Sequence, residues 1–208
     1  MRKIVIGDVQ GCLDELKGLL DKLDFDSSKD NYGVVADHPE LMDINAVATQ
    51  GGGGPGGNSG DWFPANGINY NESLDQIVFT ARHASEFFII DHSTTTEEAA
   101  GHTGGISGKG GDFLYRWGNQ QVYDAGLSSE QKLFGQHDIQ WIEPGREGEG
   151  DLIVFNNGGG QNYGYSSVDV LRLPGANGTY PLLSNNTWGP QQPNWSWNQG
   201  SEMYAQIV

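Results

Sequence analysis

Two kinds of apolar spacing divide the chain. Near its start, Lys3-Ile4-Val5-Ile6 is a short run fit for a buried strand, ended by Gly7-Asp8. Leu13, Leu16, Leu19, Leu20 and Leu23 then follow, and positions three and four apart share one face of a helix. Lys17 and Lys22 lie toward the end of that stripe, where the helix dipole favours cations. Residues 1–25 therefore predict a strand–helix α/β segment, and its helix is the one clear helical stripe in the chain.

Beyond Asp61 the spacing becomes that of strands. Leu74-Asp75-Gln76-Ile77-Val78-Phe79 is answered by Gly150-Asp151-Leu152-Ile153-Val154-Phe155, so that Ile77 recurs 76 positions later as Ile153. After the first copy comes Ser85-Glu86-Phe87-Phe88-Ile89-Ile90-Asp91; after the second, Ser167-Val168-Asp169-Val170-Leu171-Arg172-Leu173. Each copy opens on a polar strand (62–70, then 136–142). Each closes on an aromatic one, Leu114-Tyr115-Arg116-Trp117 and Asn194-Trp195-Ser196-Trp197. Four short strands, twice, predict two successive antiparallel four-stranded sheets near 62–118 and 135–197, the pattern of β-propeller blades. The polar, Gly-rich stretch 92–111 reads as an excursion between the third and fourth strands of the first copy. The fold class is mainly β: a partial β-propeller of about two complete four-stranded blades, preceded by the strand–helix segment. Propellers typically close with ~4–8 blades, and Gln206-Ile207-Val208 reads as the first strand of a third. The expectation is a truncated propeller whose open edges invite self-association.

Residues 26–60 read as an acidic and Gly-rich linker, which leaves 61–208 as the truncated propeller. Asp24, Asp26, Ser28 and Asp30 alternate oxygen ligands as a calcium loop does. Lys29, however, stands where that loop needs Gly, and Val35 where it needs the closing Glu. The glycine run QGGGGPGGNSG (50–60) lacks the Lys-Ser/Thr ending of a phosphate-binding loop and reads as flexible.

Charge removes several function classes. With 11 Lys+Arg against 27 Asp+Glu the net charge is −16, so the chain lacks the basic stripe that nucleic acid or an anionic membrane surface requires. Glycine supplies 32 of 208 residues, which suits short strands joined by turns. Cys12 is the lone cysteine, which excludes an internal disulfide and a cysteine-based zinc site. There is no run of 18 apolar residues to span a membrane. The opening MRKIVIGDVQG does not make a signal peptide, because Asp8 interrupts its apolar run, and this predicts a cytoplasmic location. The sequons at Asn71, Asn177, Asn185 and Asn194 are what an Asn- and Ser-rich chain carries by chance.

Ordered words carry a resemblance from about residue 26 to 208. They are Asp61-Trp62 with Asn66, Leu74-Asp75-Gln76-Ile77-Val78, and Ser85-Glu86 through Ile90-Asp91-His92-Ser93-Thr94-Thr95-Thr96. They continue with Phe113-Leu114-Tyr115-Arg116-Trp117-Gly118-Asn119, Gly135-Gln136-His137-Asp138, Val154-Phe155-Asn156-Asn157-Gly158 and Tyr165-Ser166-Ser167-Val168. This region resembles the bacterial arylsulfotransferases, a six-bladed propeller family that is often exported. The resemblance implies sulfuryl transfer from a phenolic sulfate ester to a phenol, through a sulfo-histidine and with no cofactor. The partners implied are a small-molecule aryl sulfate and a phenol. Separately, Ile6-Gly7-Asp8-Val9-Gln10-Gly11 resembles the start of calcineurin-like metallophosphoesterases, closest to the symmetrical diadenosine tetraphosphatases. There the residue matching Asp8 is a metal ligand. The later metal-binding words of that family are absent from this sequence, and one carboxylate does not build a two-metal site. The reading is therefore no metal, with Asp8 a ligand only under the metallophosphoesterase alternative.

His137 is the candidate nucleophile. It opens a strand after Gly135-Gln136, where the start of a blade's first strand would face a central channel. A neutral imidazole there can attack an electrophile, with Asp138 or a backbone carbonyl fixing its tautomer. The plain alternative is a satisfied structural histidine; the resemblance favours the nucleophile. It also places Asn66 and Arg82 as the amide and guanidinium that hold sulfate oxygens, a task suited to fixed donors around a loose transition state. The alternatives are a surface ion pair of Arg82 with Glu86 and a turn role for Asn66. Pro64 stands where the resembled family has a histidine, and His38 sits in no matching word, so impaired transfer is expected. His83, His92 and His102 show no metal-binding spacing and read as loop or surface residues. Three functions remain in view: a sulfuryl transferase, an inactive propeller module that binds or supports, and a metallophosphoesterase relic.

Overall fold

The computed structural model describes residues 35–43, 64–158 and 164–205. The strand–helix segment, the calcium-like stretch, the glycine run and the apolar end at Val208 all lie outside the described residues. Eight strands form two four-stranded sheets in simple sequence order. The first sheet holds β1 (Ala65–Asn71), β2 (Gln76–Ala81), β3 (Glu86–Asp91) and β4 (Tyr115–Trp117). The second holds β5 (His137–Trp141), β6 (Leu152–Asn156), β7 (Ser167–Leu171) and β8 (Trp195–Trp197). Every pairing within them is antiparallel. The protein is mainly β, with two blade-like sheets where the 76-residue repeat placed them.

Local chemistry fixes the turns. Between β1 and β2, Asn71 Oδ1 accepts the Leu74 amide at 3.1 Å, and Asp75 takes a left-handed conformation with φ 49°. Between β2 and β3, Ser85 donates to the Arg82 carbonyl at 3.2 Å. The excursion after β3 contains a single-turn helix, α1 (Thr96–Ala99). A capping box holds it: the Thr95 hydroxyl accepts the Glu98 amide at 3.3 Å, and Glu98 accepts the Thr95 amide at 2.9 Å. These reciprocal bonds satisfy two donors that a helix start leaves open.

One apolar cluster draws on both sheets. Val78, Phe87, Ile89, Tyr115 and Trp117 of the first join Ile139, Trp141, Leu152, Val154 and Leu171 of the second. The two first strands meet at Gly67. A Cβ there would lie 2.9 Å from the backbone nitrogens of Asp138 and Ile139, so only glycine lets β1 approach β5 this closely. Each first strand also carries a bulge near its start, between Ala65 and Ile68 and between His137 and Gln140. Bulges bend a strand and re-aim its side chains.

The first sheet hides an ion pair. Arg116 and Glu86 are both fully buried and joined by two-pronged contacts. Arg116 Nη1 also donates to the carbonyls of Pro39 and Leu41, at 3.2 and 2.8 Å. Its guanidinium lies 4.2 Å from the Tyr123 ring centroid. Burial raises the Glu86 carboxyl from the ordinary 4.5 to about 7, against the pull of Arg116. Among the described residues no helix is long and apolar enough to cross a membrane.

Candidate functional site

Antiparallel order brings one set of termini together. The starts of β1, β3, β5 and β7 and the ends of β2, β4, β6 and β8 lie at the same ends of their sheets. Asn66, Arg82, His83, Gln136, His137 and Asn157 belong to this end. The apolar strands beneath form a scaffold, and the polar residues sit where the ladders stop.

His137 is 8% exposed, opens β5 and pairs across the ladder with Phe155. Its Nδ1–H donates to Asn157 Oδ1 at 2.8 Å. That bond leaves Nε2 as the acceptor nitrogen of the neutral ring. The sequence offered Asp138 or a backbone carbonyl as the orienting group. The structure assigns neither. Asp138 sits in the bulge with φ 51°, is exposed, and accepts instead from Gln140 Nε2 at 2.7 Å.

Arg82 is half-buried on the β2–β3 turn. It does not pair with Glu86, because Arg116 occupies that carboxylate; this overturns the surface-pair alternative. Gly135 shows where the Arg82 side chain lies. A Cβ on Gly135 would stand 3.9 Å from Arg82 Nε and 4.0 Å from Asn157 Cβ. Gly135 itself has φ 66°, a conformation that glycine adopts freely. Gly135, two residues before His137, thus lies between the Arg82 and Asn157 side chains.

Asn66 ties the sheets together. Its Nδ2 donates to the Gln136 carbonyl at 3.1 Å, and its Oδ1 accepts from the Thr80 hydroxyl at 2.6 Å. Gln136 is buried in turn and donates through Nε2 to the carbonyls of Ala81 and Glu86, at 3.1 and 2.6 Å. Asn66 therefore sits one residue from His137, with one of its two amide hydrogens used on the backbone. Pro64 lies at the same end, where its carbonyl accepts the Arg82 amide at 3.1 Å.

Three buried side-chain atoms lack a hydrogen-bond partner among the described residues: His83 Nδ1, Gln136 Oε1 and Asn157 Nδ2. All three belong to this end. Buried polar atoms are nearly always paired, so each of these three is open to a further hydrogen bond. His83, read from sequence as a loop or surface residue, is a buried turn residue, 9% exposed. The other histidines stand apart from the cluster. His92 meets Asp75 at 2.7 Å, His102 meets Asp112, and His38 meets Glu40 at 3.0 Å. No group of three or more His, Cys, Asp or Glu among the described residues is placed to hold a metal ion.

Asn157 and Gln136 are the polar residues that sequence reasoning left without a role. Both stood in the quoted words, and an Asn-Asn-Gly ending to an apolar strand was the available signal.

Tandem antiparallel sheets with their polar residues gathered where the first strands begin define a blade-type β protein. Residues 15–172 match the arylsulfotransferase (ASST) family. The match spans well over half the chain, and the chain belongs to that family, whose substrates are aryl sulfates and phenols. It begins at residue 15, within the leucine-striped segment that the sequence joined to the metallophosphoesterase-like opening. No individually curated protein matches the chain.

Proposed function

We propose that the chain transfers a sulfuryl group from an aryl sulfate to a phenol through a sulfo-histidine at His137. The supporting observation is a buried imidazole at the polar end of the sheets, its Nδ1–H given to Asn157. In the first half-reaction Nε2 attacks sulfur, an N–S bond forms, the S–O ester bond breaks, and the phenolate leaves. In the second, the acceptor phenol's oxygen attacks sulfur and gives its proton to water, the N–S bond breaks, and neutral His137 is restored. Charge gathers on the peripheral sulfate oxygens at each transition state, where fixed donors act. Arg82 supplies a planar two-pronged donor. Asn66 supplies its remaining amide hydrogen. In this reading the two sheets are consecutive propeller blades, and the exposed Trp195 and Trp197 mark an open side available for self-association.

Pro64 cannot donate a proton or bind an oxyanion, so slow turnover is expected. It also supports a second reading, a module that binds aryl sulfate without turning it over. Release of a chromogenic phenol from its sulfate ester separates the two. The proposal expects slow release that disappears in His137→Ala, and a higher rate in Pro64→His. Tight binding of the ester with no release in either the parent or Pro64→His supports the second reading.

A further inference from the structure

Asn157 follows the last residue of β6 and is 5% exposed. Its Oδ1 accepts from His137 Nδ1–H at 2.8 Å, and its Nδ2 is buried with no partner among the described residues. A buried amide donor left open costs about 1–3 kcal/mol. We infer that Asn157 is the positioning residue of the transfer, the neutral acceptor that fixes His137 in its Nδ1–H tautomer with Nε2 bare. This rests on the reading of His137 as the sulfur acceptor.

The chemistry favours an amide over a carboxylate. His137 must first attack sulfur and then leave it. A carboxylate on Nδ1–H stabilises the imidazolium and makes the ring more basic. That would keep the ring protonated over more of the neutral range and make it a poorer leaving group from sulfur. An amide oxygen orients the ring without that charge. The surrounding charges do not substitute for it. Asp138 on β5 turns to solvent, and Asp169 on β7 is bound by Asn156, Ser167 and Ser196. Glu86 on β3 is held by Arg116, and Arg82 on the β2–β3 turn lies against Gly135, two residues before His137.

Nitrogen NMR of the His137 ring in the ligand-free protein tests this without relying on turnover. The parent should show protonated Nδ1 and bare Nε2. Asn157→Asp, nearly the same shape, should keep that tautomer and move the ring's titration upward by about one pH unit or more. Asn157→Ala should mix the tautomers and slow sulfo-enzyme formation about 10²-fold, the usual result of a misplaced reacting group. A parent ring protonated on Nε2, or an Asn157→Asp titration identical to the parent's, overturns the inference. His137→Ala separates the two failures. An SO₃ adduct that survives His137→Ala defeats the reading of the nucleophile itself. An adduct lost in His137→Ala but formed at the parental rate in Asn157→Ala defeats only the role of Asn157.

Discussion

The two sheets share one topology and differ in how they are covered. β3 is Glu-Phe-Phe-Ile-Ile-Asp, and of its six residues Ile90 alone is half-buried while the rest are buried. β7, in the same place in the second sheet, is Ser-Val-Asp-Val-Leu, and it alternates buried with half-buried positions. The outer strands differ more. All three residues of β4 are buried, whereas all three of β8 are exposed. A strand covered on both faces reads as a continuous apolar run, and one covered on a single face alternates. The first sheet's second face is closed by Phe113, Met42 and the carbonyls of Pro39 and Leu41 on Arg116. No described residue does the same for Trp195 and Trp197, which are 52% and 43% exposed. The lesson is that strand patterning reports neighbours as much as it reports secondary structure.

The largest effect should come from the buried ion pair. Arg116→Ala leaves Glu86 without its partner, and breaking such a pair costs about 3–5 kcal/mol, measurable by urea denaturation. A loss under ~1 kcal/mol would show that the first sheet does not depend on it. Trp117→Ala should cost a similar ~3–5 kcal/mol, because Trp117 is 3% exposed and packs on Phe87.

Next comes Gly67→Ala, which forces a methyl group against the backbone of β5 at 2.9 Å. Overpacking of this kind costs about 1–3 kcal/mol. It should also disturb the His137 ring signals, since Asp138 is its neighbour. Loss of stability with unchanged His137 signals would mean that the approach of β1 to β5 does not set the site.

A smaller effect depends on pH. Glu86 holds its proton to about 7 in the folded protein, against the ordinary 4.5. Between those values the folded state binds more protons than the unfolded one, so this group weakens the fold as pH rises from 4.5 to about 7. The stability of the parent relative to Glu86→Gln should therefore fall across that interval. A gap constant with pH would contradict the shift.

The smallest effect belongs to the second sheet's outer strand. Trp197→Ala should cost about 1 kcal/mol or less, in line with substitutions at exposed positions. A cost equal to that of Trp117→Ala would mean that something covers Trp197 in solution.

The sheets were legible in the sequence because the repeat is local. Four short apolar or aromatic runs per copy, each ended by turn residues, give strands whose order follows from short connections. Their ends shifted by at most three residues; β1, for example, starts at Ala65 rather than at residue 62. His137, Arg82 and Asn66 entered through the resemblance to the arylsulfotransferases; strand order then puts their positions at the same end of the sheets. The partners were not legible. That Asn157 binds His137 depends on the β5–β6 register, which pairs His137 with Phe155 across a bulge. That Arg116 rather than Arg82 takes Glu86 depends on the pairing of β3 with β4 across the whole 92–111 excursion. A bulge in one case and a long connection in the other decide which side chains meet, and a slip of one residue would change every partner.

The central claim is that His137 carries the sulfuryl group. Incubation with an aryl sulfate, followed by intact-mass measurement and mapping of the modified peptide, tests it most directly. The account predicts an SO₃ adduct on the peptide containing His137, absent from His137→Ala and formed more slowly in Arg82→Ala. An adduct that persists in His137→Ala, or that maps to another residue, would contradict it.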